Sequence, residues 1–243
     1  MKKNKRILII FHQHLIPLRN TVKKYIQCFE KYSNYEVFYY NSHFKCPFYL
    51  KKINWDLIIF NTTFLIIRTK YQKFIKLQKN IEFFRKYNCI KVAFPQDEAH
   101  GGKYLCDFFN KFNINYIFSL LFKNSDIKII KKDLKKINTV KFINVLAGYV
   151  DSSEIKKYKK YSKNKSTDFT YRVFSAKARN GYLGYQKIMI GNLFKDKLID
   201  SKYSFDISTD IKKTIYGSKW IKFMASSKYT LGIEGGSSLY DPK

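Results

Sequence analysis

The sequence predicts an α/β protein built as two successive parallel-sheet units, and three observations carry that prediction. Short continuous apolar runs such as Ile7–Phe11 and Cys89–Phe94 have the composition of strands buried on both faces. They alternate with lysine-studded amphipathic stretches of helical spacing, the rhythm of βαβ units. The rhythm breaks in the polar, lysine-rich segment Asp151–Asp168 and then restarts, which marks a boundary.

Taken in order, Ile7–Phe11 is a buried strand and His12–Leu18 its loop. Arg19–Ser33 has helical spacing, with Val22, Tyr25, Ile26 and Phe29 on one face. Tyr35–Tyr40 and Asp56–Phe60 are the second and third strands, the third ending in the polar Asn61-Thr62-Thr63. Tyr71–Tyr87 is a single lysine-rich amphipathic helix, and Cys89–Phe94 a fourth strand running into Pro95-Gln96-Asp97-Glu98-Ala99-His100-Gly101-Gly102. Helix Lys103–Phe112 leads to strand Tyr116–Ser119. Beyond the boundary come strand Phe169–Phe174, a connection Ser175–Gly184, a helix around Tyr185–Phe194 and strand Ser204–Ile207. Helix Trp220–Ser226 then precedes a last strand, Tyr229–Ile233.

With 243 residues, 45% hydrophobic and 18% aromatic, the chain has material for a sizeable core and is not a disordered polymer. Its formal charge of +29 comes mostly from lysine, with arginine only at positions 6, 19, 68, 85, 172 and 179. A sequence-reading nucleic-acid binder would use the planar arginine fork more freely, the lysines are spread along the whole chain, and no RNA- or DNA-binding signature is present. No nucleic-acid partner is therefore expected, although a basic nucleic-acid-binding α/β protein is the rival reading that the charge suggests. A lysine-covered surface also attracts nucleotide phosphates and anionic lipid headgroups, so an anionic membrane surface is an expected partner. Cysteines 28, 46, 89 and 106 form no CxxC pair, which predicts free thiols in a reducing compartment. The five-residue apolar run after Met1–Arg6 is too short for a secretion signal or a span. A cytoplasmic protein, peripheral at the inner membrane, is the expectation.

The stretch richest in chemistry is Tyr229–Asp241, an apolar strand running into Glu234, Gly235, Gly236, Ser237 and Ser238. Such a turn at the carboxyl end of a strand faces the crevice where α/β sheets bind ligands. Glycines let the backbone approach a ligand, successive N–H groups can point at phosphate, and a carboxylate accepts hydrogen bonds from sugar hydroxyls. A plain surface turn has the same composition.

Three blocks stand out together: Phe94-Pro95-Gln96-Asp97-Glu98; Tyr171-Arg172 with Gly181-Tyr182-Leu183-Gly184 and Ile190-Gly191; and Tyr216-Gly217, Trp220, Phe223 and Ser226 with Leu231–Ser238 and Asp241. In their order and spacing they resemble the GT-B glycosyltransferases of bacterial surface polysaccharide synthesis, the glycosyltransferase family 1/4-like enzymes. The chain departs from the family pattern in Val173-Phe174, where Gly-Arg is expected, and in Gly235-Gly236-Ser237-Ser238, where Ser-Gly-Ala-Ser is expected. The resemblance implies two Rossmann-like domains. Residues 1–150 form the acceptor-side domain, 151–168 a linker, and 169–243 the start of a nucleotide-sugar-binding domain. That second domain is expected to be truncated, which leaves an inactive fragment as a further reading. The implied activity is sugar transfer from a nucleotide-sugar to a glycan or lipid-linked acceptor, with no cofactor and no metal.

In that frame Arg172 and Lys177 are candidates for the diphosphate, and Gly181 and Gly184 open a helix whose N-terminus suits the same group. Glu234, Gly235, Gly236, Ser237 and Ser238 complete the donor set. Each has a structural alternative: a salt bridge for Arg172, a solvated loop for Lys177. The base that deprotonates the acceptor is either His12 or Asp97. Asp97 and Glu98 could equally do no more than organise their loop with His100.

Overall fold

In a computed structural model, the residues described are 5–14, 18–98, 100–121, 128, 140–146, 148, 159, 161, 165–173 and 180–233. The chain divides into two compact units, Met1–Tyr149 and Val150–Tyr240.

The first unit is organised on β1 (Arg6–Phe11), whose interior residues Ile7, Leu8, Ile9 and Ile10 are all buried. It pairs in parallel with β2 (Glu36–Asn41) on one side and β3 (Leu57–Phe60) on the other, Ile10 lying opposite both Tyr40 and Phe60. β4 (Ile90–Ala93), β5 (Tyr116–Ser119) and β6 (Lys141–Asn144) continue the sheet in the order β2-β1-β3-β4-β5-β6, every pair parallel. Because a strand's side chains alternate in direction, β1 feeds two layers. Ile7 and Ile9 pack with Ile59 against Ile26 of α1 (Asn20–Tyr32). The opposite layer is aromatic: Phe60 meets Phe64, Phe108 and Phe112 at ring-centroid separations of 6.3, 5.0 and 5.4 Å. These rings come from α2 (Thr62–Leu65) and α4 (Gly102–Phe112), and α3 (Tyr71–Ile81) adds Phe74. Each such ring, fully buried, stabilises the fold by about 1.5–3 kcal/mol.

The second unit has the same core topology in miniature. β7 (Thr167–Arg172) lies between β8 (Phe205–Ser208) and β9 (Ser227–Thr230), all parallel. Phe169, Tyr171 and Val173 pack with Ile190, Phe194 and Leu198 of α5 (Gly181–Leu198). Gly191 permits this approach, since a β-carbon there would stand 2.8 Å from the Tyr171 ring. The Tyr171 hydroxyl then donates to the Lys187 carbonyl at 2.9 Å. On the alternate positions, Thr170 Oγ1 bonds Ser227 Oγ at 2.9 Å and lies 3.1 Å from Thr230 Oγ1, while Arg172 reaches Phe223 of α6 (Ser218–Ala225). Asp168 accepts from Lys228 at 2.7 Å and from Ser204, and these bonds, Lys228's first, hold its carboxyl down at about 2.

Several elements differ from expectation. The helix expected over Tyr71–Tyr87 is α3 followed by a 3₁₀ turn, Glu82–Lys86, whose tightening buries Phe84 along with Ile81. Lys91, itself buried in β4, closes that turn by donating to the carbonyls of Arg85 and Tyr87 at 3.2 and 2.6 Å. Asn61-Thr62-Thr63 is not a frayed strand end but a helix start, Asn61 Oδ1 accepting from the Thr63 N–H at 3.1 Å. β6 has no counterpart among the expected strands. α5 begins at Gly181, inside the expected connection, and β7 begins at Thr167, inside the expected linker. The last strand is Ser227–Thr230 and not Tyr229–Ile233, because pairing with β7 ends at Thr170 opposite Thr230 and the Leu231 N–H makes a final bond to the Thr170 carbonyl. All four cysteines are free thiols. No helix among the described residues is long and apolar enough to cross a membrane.

Candidate functional site

In an open α/β sheet, ligands bind beyond the carboxyl ends of the strands where the strand order reverses. In the first unit the chain steps from β1 out to β2 and then back across to β3, so the reversal lies between β1 and β3. In the second it lies between β7 and β9.

At the first reversal, β1 ends and the next residue is His12, only 5% exposed. Its backbone N–H donates to Thr63 Oγ1 at 3.1 Å, and ring Nδ1 lies 3.2 Å from Ser42 Oγ beyond the end of β2. Asn41 ties the same edge together, its Oδ1 accepting from the N–H groups of Gln13 and His43 at 2.9 and 3.1 Å and its Nδ2 donating to the Gln13 carbonyl at 2.8 Å. His43 stands edge-on to His12 and to His14, with centroids 5.8 and 4.6 Å apart. Burial, then the positive charge of Lys73 and the neighbouring histidines, lowers the His12 pKa from 6.5 to about 4, so the ring is neutral near pH 7. In the tautomer protonated at Nδ1, that nitrogen donates to Ser42 and Nε2, which has no hydrogen-bond partner, presents a lone pair that can take a proton.

The loop after β4 is held from below by Arg68, which is wholly buried. Its guanidinium donates to the carbonyls of His100 (2.9 Å), Leu65 (3.1 Å), Gln96 (2.9 Å) and Asp97 (2.5 Å). The loop takes a tight path, with Asp97 in the left-handed region at φ 54° and its side chain exposed. Glu98 turns inward and accepts from Ser119 Oγ at 2.8 Å and the Leu120 N–H at 2.9 Å. Burial raises its carboxyl pKa, and these two bonds oppose the shift. Glu98 thus organises the loop. The sheet order sets Asp97 two strands from His12, roughly 10 Å at the usual strand spacing, and no hydrogen bond joins them.

At the second reversal, β7 ends in Arg172, whose side chain is 7% exposed. One arm, Nη2, pairs with the half-exposed Asp206 at 2.7 Å, and the guanidinium carbon lies 4.8 Å from the Phe223 ring centroid. Nε and Nη1 have no hydrogen-bond partner. The salt bridge weighed for Arg172 therefore exists, but it uses one arm of a three-armed group. Gly181, at φ 62°, opens α5, and Gly184 is buried in its first turn. Lys177, Glu234, Gly235, Gly236, Ser237 and Ser238 lie outside the described residues.

Four buried side-chain nitrogens among the described residues lack a hydrogen-bond partner: His12 Nε2, Asn61 Nδ2, Arg172 Nε and Arg172 Nη1. All four lie at the ends of β1, β3 and β7, the strands that define the two reversals. Leaving such groups unpaired costs about 1–3 kcal/mol each, and more for a charge, which makes the strand ends of each unit the candidate ligand-facing positions. No trio of His, Cys, Asp or Glu among the described residues is arranged to hold a metal ion. The signals in the sequence were a histidine immediately after the first strand and an arginine closing the strand that restarts the pattern. Asn61 carried the same kind of signal, a polar residue directly after an apolar run, whereas Arg68 carried none. No family model matches the chain, and neither a curated protein nor a solved structure matches it.

Proposed function

We propose that the chain transfers a sugar from a nucleotide-sugar to a hydroxyl of a glycan or lipid-linked acceptor. The observation that carries this reading is the buried guanidinium of Arg172, with two free donors at the end of β7. A planar fork short of two acceptors suits phosphate oxygens, and burial strengthens that attraction. The sequence resemblance of the Arg172 and Glu234 blocks to GT-B enzymes supports the same assignment. In this reading the second unit holds the donor diphosphate through Arg172, with the N-terminus of α5 adding N–H donors.

The first unit supplies the acceptor side. The first unit's part, in the arrangement the GT-B resemblance implies, is the proton: His12 Nε2 takes it from the acceptor hydroxyl as that oxygen bonds to the anomeric carbon. The second unit's part is the leaving diphosphate, whose accumulating charge Arg172 stabilises as its bond to that carbon breaks. Asn61 Nδ2 can donate to an acceptor oxygen at the same reversal. Asp97, exposed and two strands away, is the alternative base.

The test is calorimetric titration with a panel of nucleoside diphosphates and nucleotide-sugars, on the wild type and on Arg172→Gln. At least one diphosphate is expected to bind, and to bind roughly ten- to a hundredfold more weakly to the variant, the loss of a charged hydrogen bond. If no member of the panel binds the folded wild type, the donor assignment fails.

A further inference from the structure

We propose that the Phe44–Lys52 loop of the first unit is a docking surface for an anionic phospholipid bilayer. The loop connects the carboxyl end of β2 to the start of β3. Its frame is built firmly. Leu50 and Trp55 are 1% and 5% exposed, Trp55 Nε1 donates to the Leu50 carbonyl at 3.2 Å, and the Tyr87 and Tyr40 hydroxyls donate to the carbonyls of Lys51 and Phe44 at 2.6 and 2.9 Å. From this frame Phe44, Phe48 and Tyr49 project outward, 62%, 69% and 59% exposed. Rings held in water by a packed loop contribute nothing to its core and are suited to insertion into a partner surface.

The loop also says what kind of partner. Lys45, Lys51 and Lys52 lie among the rings, and no acidic residue occurs between Ser42 and Trp55. Lys52 Nζ sits 4.7 Å over the Phe48 ring, and Lys51 Nζ sits 5.4 Å from the ring of Phe83, which is itself partly exposed and so extends the apolar area. Aromatic bodies with ammonium groups at their margins match a bilayer interface, where rings enter at headgroup depth and lysines reach the phosphates. The same charge works against a second copy of this chain, whose matching surface would be equally positive. This inference stands apart from sugar transfer, since it concerns a different loop and is read by partitioning and not by turnover.

The experiment is flotation of the full chain with vesicles of phosphatidylcholine alone or containing roughly a third phosphatidylglycerol, at about 0.05 M and about 0.5 M salt. The wild type is expected to float with the anionic vesicles at low salt and to be released by high salt. Phe44→Ser/Phe48→Ser/Tyr49→Ser should lower the partition coefficient about tenfold or more. Lys45→Gln/Lys51→Gln/Lys52→Gln should lower it by up to about a hundredfold at low salt. Lys187→Gln/Lys195→Gln/Lys197→Gln, on α5, removes the same charge elsewhere and should lower it much less. Circular dichroism melts establish that each variant is folded, and Phe48→Ser alone, at the most exposed ring, serves if the triple variant is not. The proposal is overturned if the wild type stays with the soluble fraction, or if the α5 control loses as much as the loop variant. It is overturned equally if the ring changes leave vesicle binding intact while abolishing self-association or the binding of a single-stranded oligonucleotide.

Discussion

The two strand-order reversals are the same piece of topology carrying opposite chemistry. In each, a first strand is flanked by the second and third, and a candidate site side chain stands at or just beyond its last residue: His12 after β1 and Arg172 closing β7. Both side chains are buried, and both retain nitrogen atoms without partners. Around His12 the neighbours are Ser42, other histidines and Lys73, and burial with positive surroundings holds the ring neutral. Around Arg172 one carboxylate and one aromatic face leave a permanent cation half satisfied. A neutral acceptor of protons suits a hydroxyl, and a cation short of acceptors suits a phosphate. The comparison teaches that the fold supplies a place, and the residue at the strand end decides what the place can bind.

The largest effect expected from breaking this contrast is on turnover. His12→Asn keeps a polar group of similar size and removes the base, so kcat should fall by about a hundred- to ten-thousandfold with nucleotide affinity unchanged. Steady-state rates with a verified donor and acceptor check this. Asp97→Asn, measured beside it, decides between the two bases. Arg172→Ala should act in the opposite sense, weakening nucleoside diphosphate roughly ten- to a hundredfold. The ligand-free protein should melt no lower than wild type, because the substitution removes a buried cation with two unpaired donors. A clear fall in melting temperature would show that the Asp206 pair is Arg172's main purpose.

Acid sharpens the contrast further. His12 titrates near 4 when folded and near 6.5 when unfolded, so between those values the unfolded chain binds more protons. Stability attributable to His12 is therefore intact above about 6.5 and is lost as pH falls towards 4, by on the order of 2–3 kcal/mol. Denaturant unfolding at several pH values should show this slope in wild type and not in His12→Asn; equal slopes would mean the ring is not buried as described. The smallest effect is expected from Gly191→Ala, whose new methyl would press on Tyr171 and Thr209 at 2.8 and 2.9 Å. A cost of roughly 1–3 kcal/mol is expected. Shifting Tyr171 beside Arg172 should weaken diphosphate binding, while the His12 titration followed by NMR stays where it was.

The sequence by itself determined the α/β class, the parallel strands and most of their positions. A buried parallel strand must be apolar on both faces, and a helix covering it must be apolar on one, so both periodicities are written locally in runs such as Ile7–Phe11 and Arg19–Ser33. It also marked His12 and Arg172, because a polar residue closing an apolar run lands at the carboxyl end of its strand whatever the neighbouring strands are. The tertiary structure alone decided the rest. Strand order, and with it the location of each reversal, depends on which edges pair across long sequence separations, and no local pattern encodes that. β6 is four residues long and gains its identity from pairing with β5. Glu98 rather than Asp97 turned inward because Arg68, thirty residues upstream, binds the loop's carbonyls and Ser119 on the next strand offers the carboxylate a donor. Whether a polar group is paired or left open is a fact about what surrounds it in space, and at Arg172 that surrounding is one carboxylate where the guanidinium has room for more.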